Sequence, residues 1–332
     1  MTATGLLVLV LAGLAILLFA ATRIGVQVIE RRHPPAGIFV DVEGTRVHLV
    51  DRAGPDGAGV DGAAREAAMA VVVIHGASSN LLDPLTALDG VLSDRYRRIY
   101  VDRPGLGYSA RRGPGDASPA VQAARILAAL EAIGVDRFVL AGHSFGASVV
   151  LQMALQAPER VAGLVFIAPA SHPWPGGVSW YYELAAAPFA GRVFSHLVAL
   201  PFGWFSVDAG AASVFTPEPV PEGYAEAIGA PLVLRPRSFI ANGEDVAWLK
   251  PFLEREAPRY RTITAPTVIL TGDSDATVLA EIHSVGLERD IAGAERIVIA
   301  GAGHAFHHHR PELVREAVDR VLRRASGEGL SD

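Results

Sequence analysis

The chain has 332 residues, half of them hydrophobic, with 29 Lys+Arg against 35 Asp+Glu and a formal net charge of -6. This composition supports a large core, excludes global disorder, and speaks against a nucleic-acid partner, which needs a basic face. Cysteine is absent, which removes disulfides, thiolate catalysis and Cys-ligated zinc or iron–sulfur centres.

At about 150 residues per domain, the length predicts two domains or one α/β domain with an insertion. Gly5–Ala21 is an uninterrupted apolar run, and Ala3 to Thr22 is long enough as a helix, about 30 Å, to cross a bilayer core. Residues 3–24 are therefore expected to be a transmembrane anchor, followed by a linker over 25–36 that His33-Pro34-Pro35 makes non-helical. Arg23, Arg31 and Arg32 flank the run on its C-terminal side, which places the rest of the chain in the cytoplasm. The competing reading is a cleaved signal peptide and an exported protein. It meets two objections: no basic residue precedes the run, and Leu18–Thr22 makes a poor cleavage site.

Beyond the linker, Ile38–Val42 and Arg46–Val50 read as a hairpin around Glu43-Gly44, and the Gly/Ala/Asp-rich residues 53–68 read as a mobile loop. A βα alternation follows. Strands are predicted at Ala70–Ile74, Arg98–Val101, Phe138–Ala141, Leu164–Ala168, Thr267–Thr271 and Arg296–Ile299. Helices are predicted at Leu81–Leu92, Pro119–Ile133 (capped by Ser118), Phe145–Leu155, Leu279–Ile291 and Pro311–Arg323. Such alternation gives an α/β fold whose mostly parallel sheet is flanked by helices. The interruption carries all four tryptophans, and nine of the 24 aromatics (Trp 4, Tyr 7, Phe 13) fall within 171–210. It reads as a helical cap insertion over the C-terminal strand edge, where α/β proteins bind ligands. The expected division is a first core segment over 37–170, a cap over 171–262 and a second core segment over 263–326.

Gly142-His143-Ser144-Phe145-Gly146 lies at a predicted strand–turn–helix junction. That context exposes the serine hydroxyl on a sharp turn, with glycines two positions away on each side to relieve collisions. With His75-Gly76-Ala77, Asp102-Arg103-Pro104-Gly105-Leu106-Gly107-Tyr108-Ser109, Gly272-Asp273-Ser274-Asp275 and Gly301-Ala302-Gly303-His304 in order, the chain over about 37–325 resembles the α/β-hydrolase superfamily, in its capped esterase, epoxide-hydrolase and C–C-hydrolase branch.

The resemblance implies Ser144 as nucleophile, His304 as base, and Asp275 as its carboxylate with Asp273 as the competitor. It implies an oxyanion hole from the backbone N–H groups of Ala77 and Phe145. A serine at this turn, where dehalogenases and epoxide hydrolases carry aspartate, favours acyl chemistry. His75 is expected to brace its loop. His143, Trp180, Arg235 and Arg237 are candidate substrate contacts. His307-His308-His309 suggests a metal, but consecutive residues rarely converge on one ion and the sequence offers no carboxylate at ligand spacing; no metal and no cofactor are expected. Gly105-Leu106-Gly107 lacks the third glycine of a phosphate loop.

The leading reading is a carboxylic-ester hydrolase with a Ser-His-Asp triad, acting on a small apolar ester. Its alternatives are a C–C-bond hydrolase of diketo acids, using Arg235 or Arg237 as a carboxylate clamp, and a non-catalytic binding protein of the same fold.

Overall fold

The computed structural model describes residues 2–54, 69–93 and 95–327, so most of the loop expected at 53–68 lies outside the described residues. Helix α1 (Ala3–Arg32) begins under the Thr2 side chain, which accepts a hydrogen bond from Gly5 N at 3.2 Å. Its apolar stretch has a mean hydropathy of 2.7 and is unburied. The helix does not stop at residue 24. It runs on to Arg32, so most of the segment expected as a linker, 25–36, is helical. The cause is packing: Thr22 and Ile29 are fully buried, and Gly25 lies where a methyl group would strike Leu200. Non-helical chain starts at His33, where Pro34 and Pro35 bar another turn.

An eight-stranded sheet follows, in the order β1-β2-β4-β3-β5-β6-β7-β8. Strands β1 (Ile38–Val42) and β2 (Thr45–Arg52) form an antiparallel hairpin, turned at Glu43 and Gly44, both at positive φ. Strand β2 also pairs antiparallel with β4. Strands β3 (Ala70–Ile74), β4 (Arg97–Val101), β5 (Phe138–His143), β6 (Val161–Ile167), β7 (Thr267–Gly272) and β8 (Glu295–Ile299) pair parallel. The apolar runs earn their double burial. Val72, Ile74, Leu140, Leu164 and Phe166 enter one core cluster, while Val71, Val73, Val139, Ala141 and Val165 enter the other. These are the two faces of a pleated sheet, each covered by helices.

The flanking helices are α2 (Leu82–Leu92), α3 (Pro119–Ala132), α4 (Phe145–Gln156), α5 (Trp180–Ala186), α6 (Pro236–Glu256), α7 (Ser284–Asp290) and α8 (Pro311–Ala325). Helix α8 buries Val314, Ala317, Val318 and Val321, the i, i+3, i+4, i+7 stripe of an amphipathic helix. Helix α7 is shorter than expected: residues 279–283 form turns instead, and the His283 ring accepts from the Ser171 and His172 amides, each at 3.1 Å.

Between β6 and β7 the chain leaves the sheet. It forms α5, a helical run over Ala190–Ser213, and α6, with a bend of 110° between α5 and that run. The C-terminal part of this insertion rejoins the core, because Leu249, Phe252, Leu253, Ala257, Tyr260 and Ile263 belong to the same cluster as Val72 and Phe145.

One buried cation ties the insertion to the sheet. Arg103 is fully buried; its Nη1 donates to Asp245 Oδ2 of α6 at 2.6 Å and to Gln122 Oε1 of α3 at 3.1 Å. Its Nη2 and Nε donate to the carbonyls of Gly76 (3.0 Å) and His75 (3.2 Å). The guanidinium also lies 4.1 Å from the centre of the Phe145 ring. Removing one partner of such a pair leaves an uncompensated buried charge. Asp245→Ala is therefore expected to lower unfolding stability by about 3–5 kcal/mol in urea titrations. Glu131→Ala, which removes a 4.0 Å contact between an exposed carboxylate and Arg160, should change it by no more than about 0.5 kcal/mol.

Candidate active site

Ser144 stands between the end of β5 and the start of α4, with φ 53° and ψ -121°. A non-glycine residue at positive φ is strained, and the surroundings hold it there. Its N–H donates to Ile167 O at 3.0 Å, and its carbonyl accepts from Ala170 N at 3.0 Å. A Cβ at Gly142 would lie 2.9 Å from the Ala147 backbone, and one at Gly146 would lie 2.3 Å from Ile74 O. Both glycines are thus required by close backbone approach, as the sequence pattern predicts.

The loop after β3 passes beside this turn. A Cβ on Gly76 would lie 3.0 Å from Ser144 Cβ, so the backbone of this loop, which continues into Ala77, comes close to the serine at Gly76. Phe145 is the first residue of α4, and its N–H is one of the helix-start amides that the helix itself cannot satisfy. The expected bracing role of His75 is observed. Its Nε2 accepts from Arg103 N at 3.0 Å, which places its proton on Nδ1, facing Gly76 O at 2.8 Å. Burial pushes its pKa down to about 4.

His304 follows β8. Its Nδ1 lies 2.7 Å from Asp275 Oδ2, and both side chains are buried. Asp275 also accepts through Oδ1 from the Thr277 and Val278 amides at 2.8 and 2.9 Å. Burial works against its charge, but His304 and these amides outweigh it and hold the carboxyl below its ordinary range. Asp273 does a different job: it is exposed and accepts from Gly301 N at 2.8 Å and Ser274 Oγ at 2.9 Å. The imidazole is therefore paired with Asp275 and not with Asp273.

The insertion touches both the loop after β3, which passes Ser144, and the loop after β8, which bears His304. On one side Ser78 N donates to Asn242 Oδ1 at 2.7 Å, and Ser78 Oγ lies 3.1 Å from Tyr182 Oη. On the other, Ala305 N donates to Val214 O at 3.0 Å, and Gly303 lies against the carbonyls of Phe215 and Thr216. Asn242 and Tyr182 escape sequence reading, because they meet Ser78 across separations of 164 and 104 residues.

The proposed substrate contacts separate. His143 is buried beside the site, its ring 4.8 Å from that of His304 and 4.5 Å from that of His307. Trp180 is largely exposed and packs on Phe194. Arg235 and Arg237 do not form a clamp facing Ser144. Arg235 is buried, donates to Glu30 Oε1 of α1 at 3.0 Å and to Gly107 O, and covers the Tyr108 ring. Arg237 is exposed and approaches the same Glu30 at 3.5 Å.

The histidine triplet gains a carboxylate that the sequence spacing hides. Asp83 at the start of α2 lies 2.7 Å from His308 Nε2, and the donor atoms of Asp83, His307 and His308 fall within 4.8 Å of one another. Asp83 already accepts from Ser79 Oγ at 2.9 Å and Tyr224 Oη at 3.2 Å, and burial keeps His307 neutral. An ion would have to displace the His308–Asp83 hydrogen bond. His309 points elsewhere, to Pro219 O at 2.9 Å.

A family model described as alpha/beta hydrolase fold matches residues 70–311. The putative carbamate hydrolase RutD of Klebsiella pneumoniae is 29% identical over 64% of this chain and 76% of its own length. Among solved structures, one titled as a membrane phospholipase A and bacterial virulence factor superposes with TM-score 0.66 at 22% identity, covering 97% of both chains. A thermophilic esterase from Thermogutta terrifontis superposes with TM-score 0.66 at 20% identity, covering 87% of this chain and 99% of its own.

Burial pushes His143 down to about 3 and His75 and His283 to about 4. The unfolded chain takes up these protons near pH 6.5, and the folded chain only at the lowered values. The stability these neutral rings allow is therefore complete above about pH 6.5 and is lost as the pH falls toward 3–4, at about 1.4 kcal/mol per pH unit for each proton. Asp275 acts in the same direction at lower pH. Urea midpoints should fall from pH 7.5 to pH 5, and His143→Gln should make that slope shallower.

Proposed function

The chain belongs to the alpha/beta hydrolase fold family, and from that membership we propose that it is a membrane-anchored serine hydrolase that cleaves carboxylic esters through an acyl-enzyme. The observation that carries this reading is the His304 Nδ1–Asp275 Oδ2 contact of 2.7 Å, at the sheet edge where Ser144 is held at positive φ. With Nδ1 committed to Asp275, Nε2 is the nitrogen that accepts a proton.

Ser144 Oγ attacks the ester carbonyl as His304 Nε2 takes its proton, and Asp275 stabilises the imidazolium. The Ala77 and Phe145 amides receive the oxyanion, a contribution of about 3 kcal/mol per donor. His304 then returns the proton to the departing alkoxide. Water, deprotonated by His304, adds to the acyl carbonyl, and His304 returns the proton to Ser144 Oγ as the acid leaves. The insertion acts as a cap, and its aromatic content suits an apolar acyl or aryl group. Carbamates present a similar carbonyl, so they belong in the substrate panel beside p-nitrophenyl esters. The C–C-hydrolase alternative relied on Arg235 and Arg237, which are engaged by Glu30.

Helix α1 serves as an uncleaved single-pass anchor, with the hydrolase domain on the cytoplasmic side by the distribution of Arg23, Arg31 and Arg32. Its support is the length and apolarity of the helix, together with likeness to the membrane phospholipase A over nearly the whole chain.

Ser144→Ala is expected to abolish ester turnover and fluorophosphonate labelling with the fold intact; substantial residual activity in the pure variant overturns the nucleophile. Asp275→Asn should lose about 10⁴-fold in rate through a mis-set tautomer, and Asp273→Asn far less. A larger loss at Asp273 reverses the choice of acid. The anchor predicts full mass and resistance to alkaline carbonate extraction. A mature N-terminus just after Ala21 identifies a signal peptide instead.

A further inference from the structure

The insertion bears an apolar surface that the site does not use. From Leu184 to Val207 the one formally charged side chain is Arg192. At the 110° bend between α5 and the run that follows, Phe189 is 81% exposed, and Val193 lies one turn further on at 45%. Trp180, on α5, is exposed as well. Exposed apolar side chains here, as at Phe202 and Phe205 further along the same run, carry a cost in water that a soluble surface ordinarily avoids.

Their position relative to α1 gives the apex a direction. Phe19, Gly25 and Arg32 of α1 meet His196, Leu200 and Trp204 of the insertion, in that order. The Phe19 and His196 rings stack 6.2 Å apart, Gly25 lies against Leu200, and Arg32 stands 6.0 Å from the Trp204 ring. The two segments therefore run side by side in the same direction. The N-terminal end of the insertion's helical run points toward the N-terminal, apolar end of α1. Phe19 lies within the apolar run, about 24 Å of helix beyond Ala3 against a hydrocarbon core of about 30 Å. His196 is thus near the membrane boundary, and Phe189, seven residues earlier, extends past it.

We propose that the apex 187–193 is a second membrane contact, inserted into the leaflet from which α1 emerges. Phe189 and Val193 enter the acyl boundary, Arg192 extends its long side chain back toward the phosphate headgroups, and Trp180 takes the interfacial position that suits an amphipathic ring. The site then faces lipid: α5 runs from this apex to Tyr182, which meets Ser78 on the loop that passes Ser144 at Gly76. The substrates this geometry favours are acyl esters that partition into the bilayer. The inference rests on α1 being an uncleaved span.

The absence of cysteine makes a direct test available. Full-length protein is reconstituted in phosphatidylcholine/phosphatidylglycerol liposomes with one nitroxide label at Phe189→Cys, Leu11→Cys or Val298→Cys. Relaxation by oxygen is compared with relaxation by a soluble nickel chelate. The expected result is an oxygen-to-nickel accessibility ratio at 189 several-fold above that at 298, which is exposed on the edge strand β8. A ratio at 189 equal to that at 298, with Leu11→Cys reading as lipid-exposed, overturns the second contact and leaves the anchor standing. A water-exposed label at position 11 overturns the anchor itself. A label at 189 shielded from both reagents, with dipolar broadening between labels, identifies a second copy as the occupant and also overturns the proposal.

Discussion

Arg103 is a fully buried cation whose partners come from four separate regions of the chain: the loop after β3, helix α3, the first residue of α4, and helix α6 of the insertion. Burial lowers its pKa, and Asp245 supplies the charge that keeps a guanidinium in place there. A hydrophobic side chain of similar volume would fill the space at less electrostatic cost. It could not hold the carbonyls of His75 and Gly76. By holding them, Arg103 fixes the direction in which the next amides of that loop point. The geometry around Ser144 thus depends on the insertion being docked, because Asp245 lies on the insertion.

A second constraint is the tightness of the turn at Ser144. Two glycines, at 142 and 146, lie where any Cβ would meet backbone within 3 Å. The turn is therefore set by backbone collision, which leaves its trace in the sequence as fixed residue types at fixed spacing. The strands are legible for a related reason. AVVVI at 70–74 contributes to both core clusters, so every position is apolar. These features show as short patterns along the chain, although the backbone that excludes a Cβ at Gly146 is that of the distant Ile74 and His75.

Contacts between polar side chains in distant regions of the chain leave no such trace. The partner of His308 is Asp83, 225 residues away, and Ser78 is held by Asn242 and Tyr182. The same limit hides the partner of Arg235 and Arg237. An arginine pair in an aromatic insertion reads as a clamp for a substrate carboxylate, but the carboxylate they meet is Glu30, 205 residues from Arg235. The choice between Asp275 and Asp273 was narrower. Both follow β7 within three residues, and only the direction of the turn decides which one meets His304 and which caps Gly301.

The Glu30–Arg235 pair changes what α1 means for the fold. The last ten or so residues of that helix belong to the globular domain: Ile29 is buried with Leu200, Leu232 and Leu234. A chain cut after residue 32 or 35 would expose those side chains and leave Arg235 buried beside no carboxylate, so a soluble form should retain the helix from about Thr22 onward. The contact also extends inward. Arg235 donates to Gly107 O and covers Tyr108, whose hydroxyl donates to His33 O. The Tyr108 amide in turn donates to Asp102 Oδ2 at 2.8 Å, while Asp102 Oδ1 accepts from Leu81 N at 2.8 Å. A chain of hydrogen bonds and packed rings therefore runs from the last turn of α1 to the segment that bears Ser78. The orientation of the N-terminal helix and the position of the loop beside Ser144 are set by one connected structure.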